Sequence, residues 1–275
     1  MTYYLNFRTR TAGGPVNPNP QLYETTSTSS APGWSLIPPT LIPSRVSGRN
    51  VLFATHGFNV TQPSGIVSLG LLDQYLKLSA PNLLIAVLWP GDSVIPVVDY
   101  PFEGNVAIDC GERLAEFCNS YCSSAQSLSF ASHSLGARLI LQAIALLERK
   151  ARCVCLAAGA VNRDCLTAEY ATAAQNAEKI SVLASHEDYV LKVAYDIGDP
   201  FADLLHDDHT PFEIALGSEG PATPAPPQVS SPWQINDESD YGHSDYLPPF
   251  APNKWPNVAD FIRRAFLGQP QTWPI

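Results

Sequence analysis

The sequence predicts an α/β fold built on a mostly parallel sheet with helices packed on both faces. Two observations carry this. From residue 50 onward, short apolar runs alternate with segments whose apolar residues recur at helical spacing. The polar residues able to do chemistry fall at the ends of those runs, where parallel sheets place their sites. With 275 residues, no internal repeat and no evident boundary, residues 1–275 are read as one domain without a large lid.

Taken in order, residues 3–9 alternate in part, with Tyr3, Leu5 and Phe7 on one face, and read as an edge strand. Gly13 to Ser30 is rich in Gly, Pro, Asn, Ser and Thr and reads as a loop. Trp34 to Ile37 is a second short strand, closed by Pro38-Pro39. Asn50 to Ala54 has the continuous apolar character of a buried strand. Ile66, Leu69, Leu72 and Leu76 then share a helical face. Leu83 to Trp89 is the most apolar run and stops at Pro90-Gly91-Asp92. Val106, Cys110, Leu114, Phe117 and Tyr121 mark the next helix. A strand from Leu128 ends in Ser132-His133-Ser134-Leu135-Gly136, and a helix follows with Leu135, Leu139, Ala143 and Leu146 on one face. Cys153 to Ala158 and Lys179 to Ala184 are further strands, with an Ala-rich helix over 167–177 between them. Glu219 to Trp233, with five prolines, reads as a loop, and 228–236 holds the last strand. Val258, Phe261, Ile262, Ala265 and Phe266 form a final helix stopped by Gly268 and Pro270.

Composition narrows the partners. Hydrophobic residues make up 45%, enough for a large core, and the net charge of −10 comes without a run of Lys or Arg. That argues against nucleic acid or an anionic membrane surface. The N-terminal stretch has no apolar core of a signal peptide, so a cytoplasmic location is the expectation. No apolar run approaches the ~18 residues of a membrane span. The six cysteines match no zinc spacing and read as buried small side chains.

The segment 128–141 has the layout of a nucleophile elbow, strand–tight turn–helix, with Ser134 at the apex. Small residues must flank the apex at minus two and plus two, and here they are Ser132 and Gly136. Ser132 is the internal rival, but it lacks that flanking. A serine hydroxyl needs a base to take its proton, and the base needs an orienting carboxylate. Asp188, four residues past a strand end, is the acid candidate, with Glu187 and Asp164 as rivals. An N-capping role for Asp188 is the competing reading. His243, between the last strand and the last helix, is the base candidate. His56 and His133 read as supports of their turns, and His186 is too near Asp188 in sequence to be its partner. His206 and His209 flank Asp207 and Asp208, which reads as a polar loop rather than a metal site. The order Ser134, Asp188, His243 is the Ser…Asp…His order of a triad on this kind of sheet. The oxyanion donors would be the backbone N–H groups of Leu135, at the helix start, and Phe58, in the His56-Gly57-Phe58-Asn59 loop.

The pieces Thr55-His56-Gly57-Phe58-Asn59-Val60, Trp89-Pro90-Gly91-Asp92, Ser132-His133-Ser134-Leu135-Gly136, Ser185-His186-Glu187-Asp188-Tyr189-Val190-Leu191 and Gly242-His243-Ser244 resemble the α/β-hydrolase superfamily. The nearest likeness is to a bacterial branch of uncharacterised α/β-hydrolases, the DUF900 type, over about residues 50 to 267. The resemblance implies an eight-stranded, mostly parallel sheet. It also implies a serine hydrolase in which Ser134 is nucleophile, Asp188 acid and His243 base, with Phe58 and Leu135 as oxyanion donors. Two departures stand out. The elbow opens with Ser132 where Gly is commoner, and Gly159-Ala160 stands where relatives often carry Pro-Asp. The expectation is a small-molecule ester as substrate, of short to medium acyl chain, with no metal or organic cofactor. Either Pro-rich stretch, within 1–49 or 219–233, is a candidate border of the cleft.

Overall fold

The computed structural model describes residues 1–27, 29, 33–92, 96–196 and 214–271. In chain order its strands are β1 (Thr2–Arg8), β2 (Val16–Thr25), β3 (Ser35–Ile37), β4 (Asn50–Thr55), β5 (Asn82–Leu88), β6 (Ser127–His133), β7 (Cys153–Ala157), β8 (Ile180–Leu183) and β9 (Val229–Ser230). The helices are α1 (Ile42–Val46), α2 (Gln62–Leu76), α3 (Pro96–Tyr121), α4 (Gly136–Ala145), α5 (Ala171–Gln175), α6 (Tyr189–Asp196), α7 (Leu216–Glu219) and α8 (Trp255–Leu267).

The strands form a single sheet in the order β3-β2-β1-β5-β4-β6-β7-β8-β9. Every pairing from β1 through β9 is parallel, and β2 runs against both its neighbours. Helices α2 and α8 pack together, and α3 packs with α4, which meets α5. The sheet is thus mostly parallel, as expected, but it has nine described strands rather than eight.

The difference lies at the N-terminal edge. β2 occupies part of the stretch read as loop from its Gly, Pro and Asn content. Its pairing with β1 slips between Asn6 and Arg8, and Pro18 and Pro20 lie in that irregular part. A proline without an N–H is tolerated there because no ladder bond is asked of it. Leu22, Tyr23 and Glu24 then pair regularly on both sides, with β1 and with β3. Consequently β1 is not an edge strand. It is enclosed between β2 and β5, and all seven of its residues are buried.

The central strands follow from their sequences. β4 and β6 pair in register with Phe53 opposite Phe130, whose rings stack at 5.5 Å, and Phe117 of α3 meets Phe53 edge-on. Such strands, covered on both faces, carry continuous apolar runs rather than alternation. Thr61 caps α2, its hydroxyl accepting from the Ser64 N–H, and Lys77 in a left-handed conformation ends it. The six cysteines are buried. No helix among the described residues is long and apolar enough to cross a membrane.

Candidate active site

β6 delivers Ser134 at its carboxyl end, and α4 begins two residues later. Ser134 has φ of 54°, the left-handed backbone that a non-glycine residue adopts only under constraint. Its N–H donates to Ala157 at 3.0 Å, and its carbonyl accepts from Ala137 and Ala160. The need for small neighbours is visible in the contacts. A Cβ on Gly136 would stand 2.6 Å from the His56 carbonyl oxygen, and one on Gly57 would stand 2.7 Å from the Ser134 Cβ. Ser132, by contrast, is an interior residue of β6, paired with Thr55 and Leu156.

The segments that follow β6, β8 and β9 bring the triad candidates together. Ser134 Oγ and His243 Nε2 are 2.8 Å apart, and His243 Nδ1 and Asp188 Oδ2 are also 2.8 Å apart. Ser134 and Asp188 are buried, and His243 is partly open to the cleft. Asp188 has no exposed surface, and its second oxygen, Oδ1, accepts from the Leu191 N–H at 3.1 Å in the first turn of α6. The carboxylate is therefore an N-cap and a histidine partner at once, one oxygen for each. The helix start also favours its negative charge. Of the rivals, Asp164 is exposed in a turn after β7, and Glu187 bonds through its backbone, its N–H donating to the Ser185 hydroxyl and its carbonyl accepting from the Tyr189 N–H.

Two other histidines, His133 and His56, brace the loops beside the triad candidates. His133, next to Ser134, reaches across to the loop that carries His243. Its Nε2 lies 2.7 Å from the His243 carbonyl oxygen, so Nε2 carries the hydrogen. Burial first, and the neighbouring His243 second, push the His133 pKa down to about 3, so its ring is neutral. His56 is buried and is likewise held at about 3, by burial and then by the charge of Arg8. Its Nδ1 faces the Gly57 carbonyl, its ring stacks on Trp89, and the Trp89 indole N–H donates to the His56 carbonyl at 2.9 Å. His186 turns away to Asp237 and Glu219 at the surface. His206, Asp207, Asp208 and His209 lie outside the described residues.

The oxyanion candidates stand on either side of the serine. Leu135 is the N-cap of α4, and Phe58 follows Gly57 in the loop after β4. Beside them opens a cleft of about 560 Å³, lined by His56 to Val60, by Pro63, Val67 and Ser68 of α2, and by His133, His243 and Leu247 to Phe250. Among the described residues, neither 1–49 nor 219–233 contributes to this lining, so the Pro-rich border expected from those stretches is replaced by Leu247-Pro248-Pro249-Phe250. That rim was not read from the sequence. Its signal was its position directly after the candidate base.

Tyr246, three residues past His243, is buried close to Asp188. Burial, with the carboxylate's charge adding, holds its phenol well above the ordinary value, so it stays protonated. Among the described residues no group of three or more His, Cys, Asp or Glu is placed to hold a metal ion.

No curated protein matches the chain. A family model described as an alpha/beta hydrolase of unknown function (DUF900) matches residues 41–202, which takes in β4 to α6 with Ser134 and Asp188 and stops short of His243. With that match over more than half its length, on a mostly parallel sheet with a strand–elbow–helix at its centre, the chain belongs to the DUF900 family of α/β hydrolases.

Proposed function

We propose that the protein is a serine hydrolase cleaving carboxylic esters of short to medium acyl chain. The observation that carries this reading is the unbroken hydrogen-bonded line from Ser134 through His243 to Asp188, both contacts at 2.8 Å. In the forward step Ser134 Oγ attacks the acyl carbonyl while His243 Nε2 takes its proton. Asp188 keeps the imidazole hydrogen on Nδ1 and stabilises the imidazolium. The developing oxyanion is received by the Leu135 and Phe58 N–H groups. His243 returns the proton to the departing alcohol, leaving an acyl-enzyme. Water, activated by the same imidazole, then releases the acid and restores Ser134. Side chains and water suffice for this sequence.

The cleft supports a small substrate. Its volume of about 560 Å³ is in the range of sites for single small molecules, and Phe58, Val60, Val67, Leu247 and Phe250 give it apolar walls suited to an acyl chain.

The test is hydrolysis of p-nitrophenyl esters from acetyl to palmitoyl by wild type and Ser134→Ala, with a fluorophosphonate probe alongside. We expect turnover and labelling in the wild type only, with activity optimal below the longest chains and a loss of about 10³-fold or more in the variant. Equal activity in both proteins would remove Ser134 from the chemistry. A folded wild type that neither labels nor turns over esters, thioesters or amides would make the fold a binding scaffold.

A further inference from the structure

Arg8 sits at the end of β1, away from the triad, and its side chain has no exposed surface. A buried guanidinium is costly unless it is paired with a charge and hydrogen-bonded. Here Nη1 donates to Asp92 Oδ1 and Nη2 donates to the Val60 carbonyl. One planar side chain thereby joins three segments: the end of β1, the loop after β4 and the loop after β5. The same two loops are tied again by the Asn59 N–H, which donates to the Gly91 carbonyl at 2.6 Å. At the start of the loop after β4, His56 is fixed to Trp89 by stacking and by the indole bond. Between these two anchors lie only Gly57, packed on Ser134, and Phe58, the oxyanion donor of the reading above.

We propose that the buried Arg8–Asp92 pair is a positioning device for the oxyanion loop. It fixes Val60 against the end of β5, and so aims the Phe58 N–H at a carbonyl oxygen bound over Ser134. The inference rests on the ester-hydrolase reading. Arginine suits this task where lysine does not, because its rigid fork meets two acceptors at once. Stability alone is a poor reason for the pair, since a buried ion pair is commonly no more stabilising than apolar side chains of equal volume.

The experiment compares wild type with Arg8→Met/Asp92→Leu and with Arg8→Lys, all full length. It reads thermal unfolding, kcat and KM on p-nitrophenyl butyrate, and hydrogen exchange in peptides covering residues 56–60. The double variant strands no charge and should melt within a few degrees of wild type. Its kcat should fall about 10–100-fold with KM changed less than about threefold, because an oxyanion donor acts on the transition state. Exchange at 56–60 should quicken about tenfold while the Ser134-bearing peptide stays as it was. Arg8→Lys keeps a cation for Asp92 but cannot also hold Val60, so its kcat should fall between the two. A folded double variant with wild-type kcat and unchanged exchange at 56–60 overturns the proposal. So does a uniform rise in exchange across the sheet with a matching fall in melting temperature, which would make the pair a support of the whole fold. If the wild type proves inactive on every ester, the hydrolase reading fails by itself, and the exchange comparison still decides whether the pair holds the loop.

Discussion

Asp188 shows how one side chain can satisfy two readings at once. Position alone left it an N-cap or a triad-acid candidate, and the geometry gives each reading its own oxygen, with Oδ1 on the Leu191 N–H and Oδ2 on His243. That separation lets the two roles be pulled apart. Asp188→Asn keeps a carbonyl oxygen for the cap but sets an amide N–H against the imidazole, favouring the wrong tautomer. We expect turnover to fall by about 10⁴-fold with little change in melting temperature. Asp188→Ala should lose the cap as well, at a cost of about 1 kcal/mol in stability. Ester turnover and thermal melts on both variants check this, and near-normal turnover in Asp188→Asn would send the acid role elsewhere. Ser134 is the complementary case. Its left-handed φ of 54° is tolerated because three hydrogen bonds and two close-packed glycines leave it no alternative.

The loop after β4 depends on closeness. Gly57→Ala would place a methyl group 2.7 Å from the Ser134 Cβ, so either the loop or the serine must move. Because a donor displaced by an ångström weakens transition-state binding more than substrate binding, kcat should fall about 10²-fold with KM nearly constant. Steady-state kinetics on the ester series would show it, and an unaltered kcat would mean that the loop yields freely. Among the strands, β4 to β8 were legible because parallel strands buried on both faces leave unbroken apolar runs such as Leu83 to Leu88. β2 was not, because Pro18, Asn19 and Pro20 speak for a loop, and only the slipped pairing opposite Asn6 and Arg8 makes room for them. Missing β2 also turned β1 into an apparent edge. β9, two residues long, carries too little pattern to be bounded from sequence.

Across the molecule, two neutral histidines beside the cleft, His56 buried and His133 partly so, tie stability to pH. His56 and His133 titrate near 3 when folded, against about 6.5 when unfolded. Between those values the unfolded chain binds protons that the folded chain refuses. Stability should therefore be fully present above about pH 6.5 and decline as the pH falls, by about 1.4 kcal/mol per pH unit for each histidine, until the folded-state value near 3 is reached. Urea unfolding at pH 7, 6 and 5 checks this; a flat midpoint across that range would mean that the two rings are not held neutral in the folded chain. What the sequence showed of the site was local: the elbow, the motif after β4, and candidates spaced in triad order. What it hid was long-range, since nothing near Arg8 announces Asp92, and nothing near His133 announces the His243 carbonyl. The same long reach has a temporal side. Ser134 and His243 are 109 residues apart, and His243, the proposed base, follows every described strand of the sheet. During synthesis the serine thus emerges without its partner, and on the proposed hydrolase reading the nascent chain should be inert until its last segment docks. Fluorophosphonate labelling would then report completed folding, and a chain ended before Gly242 should remain unlabelled even where its sheet has formed.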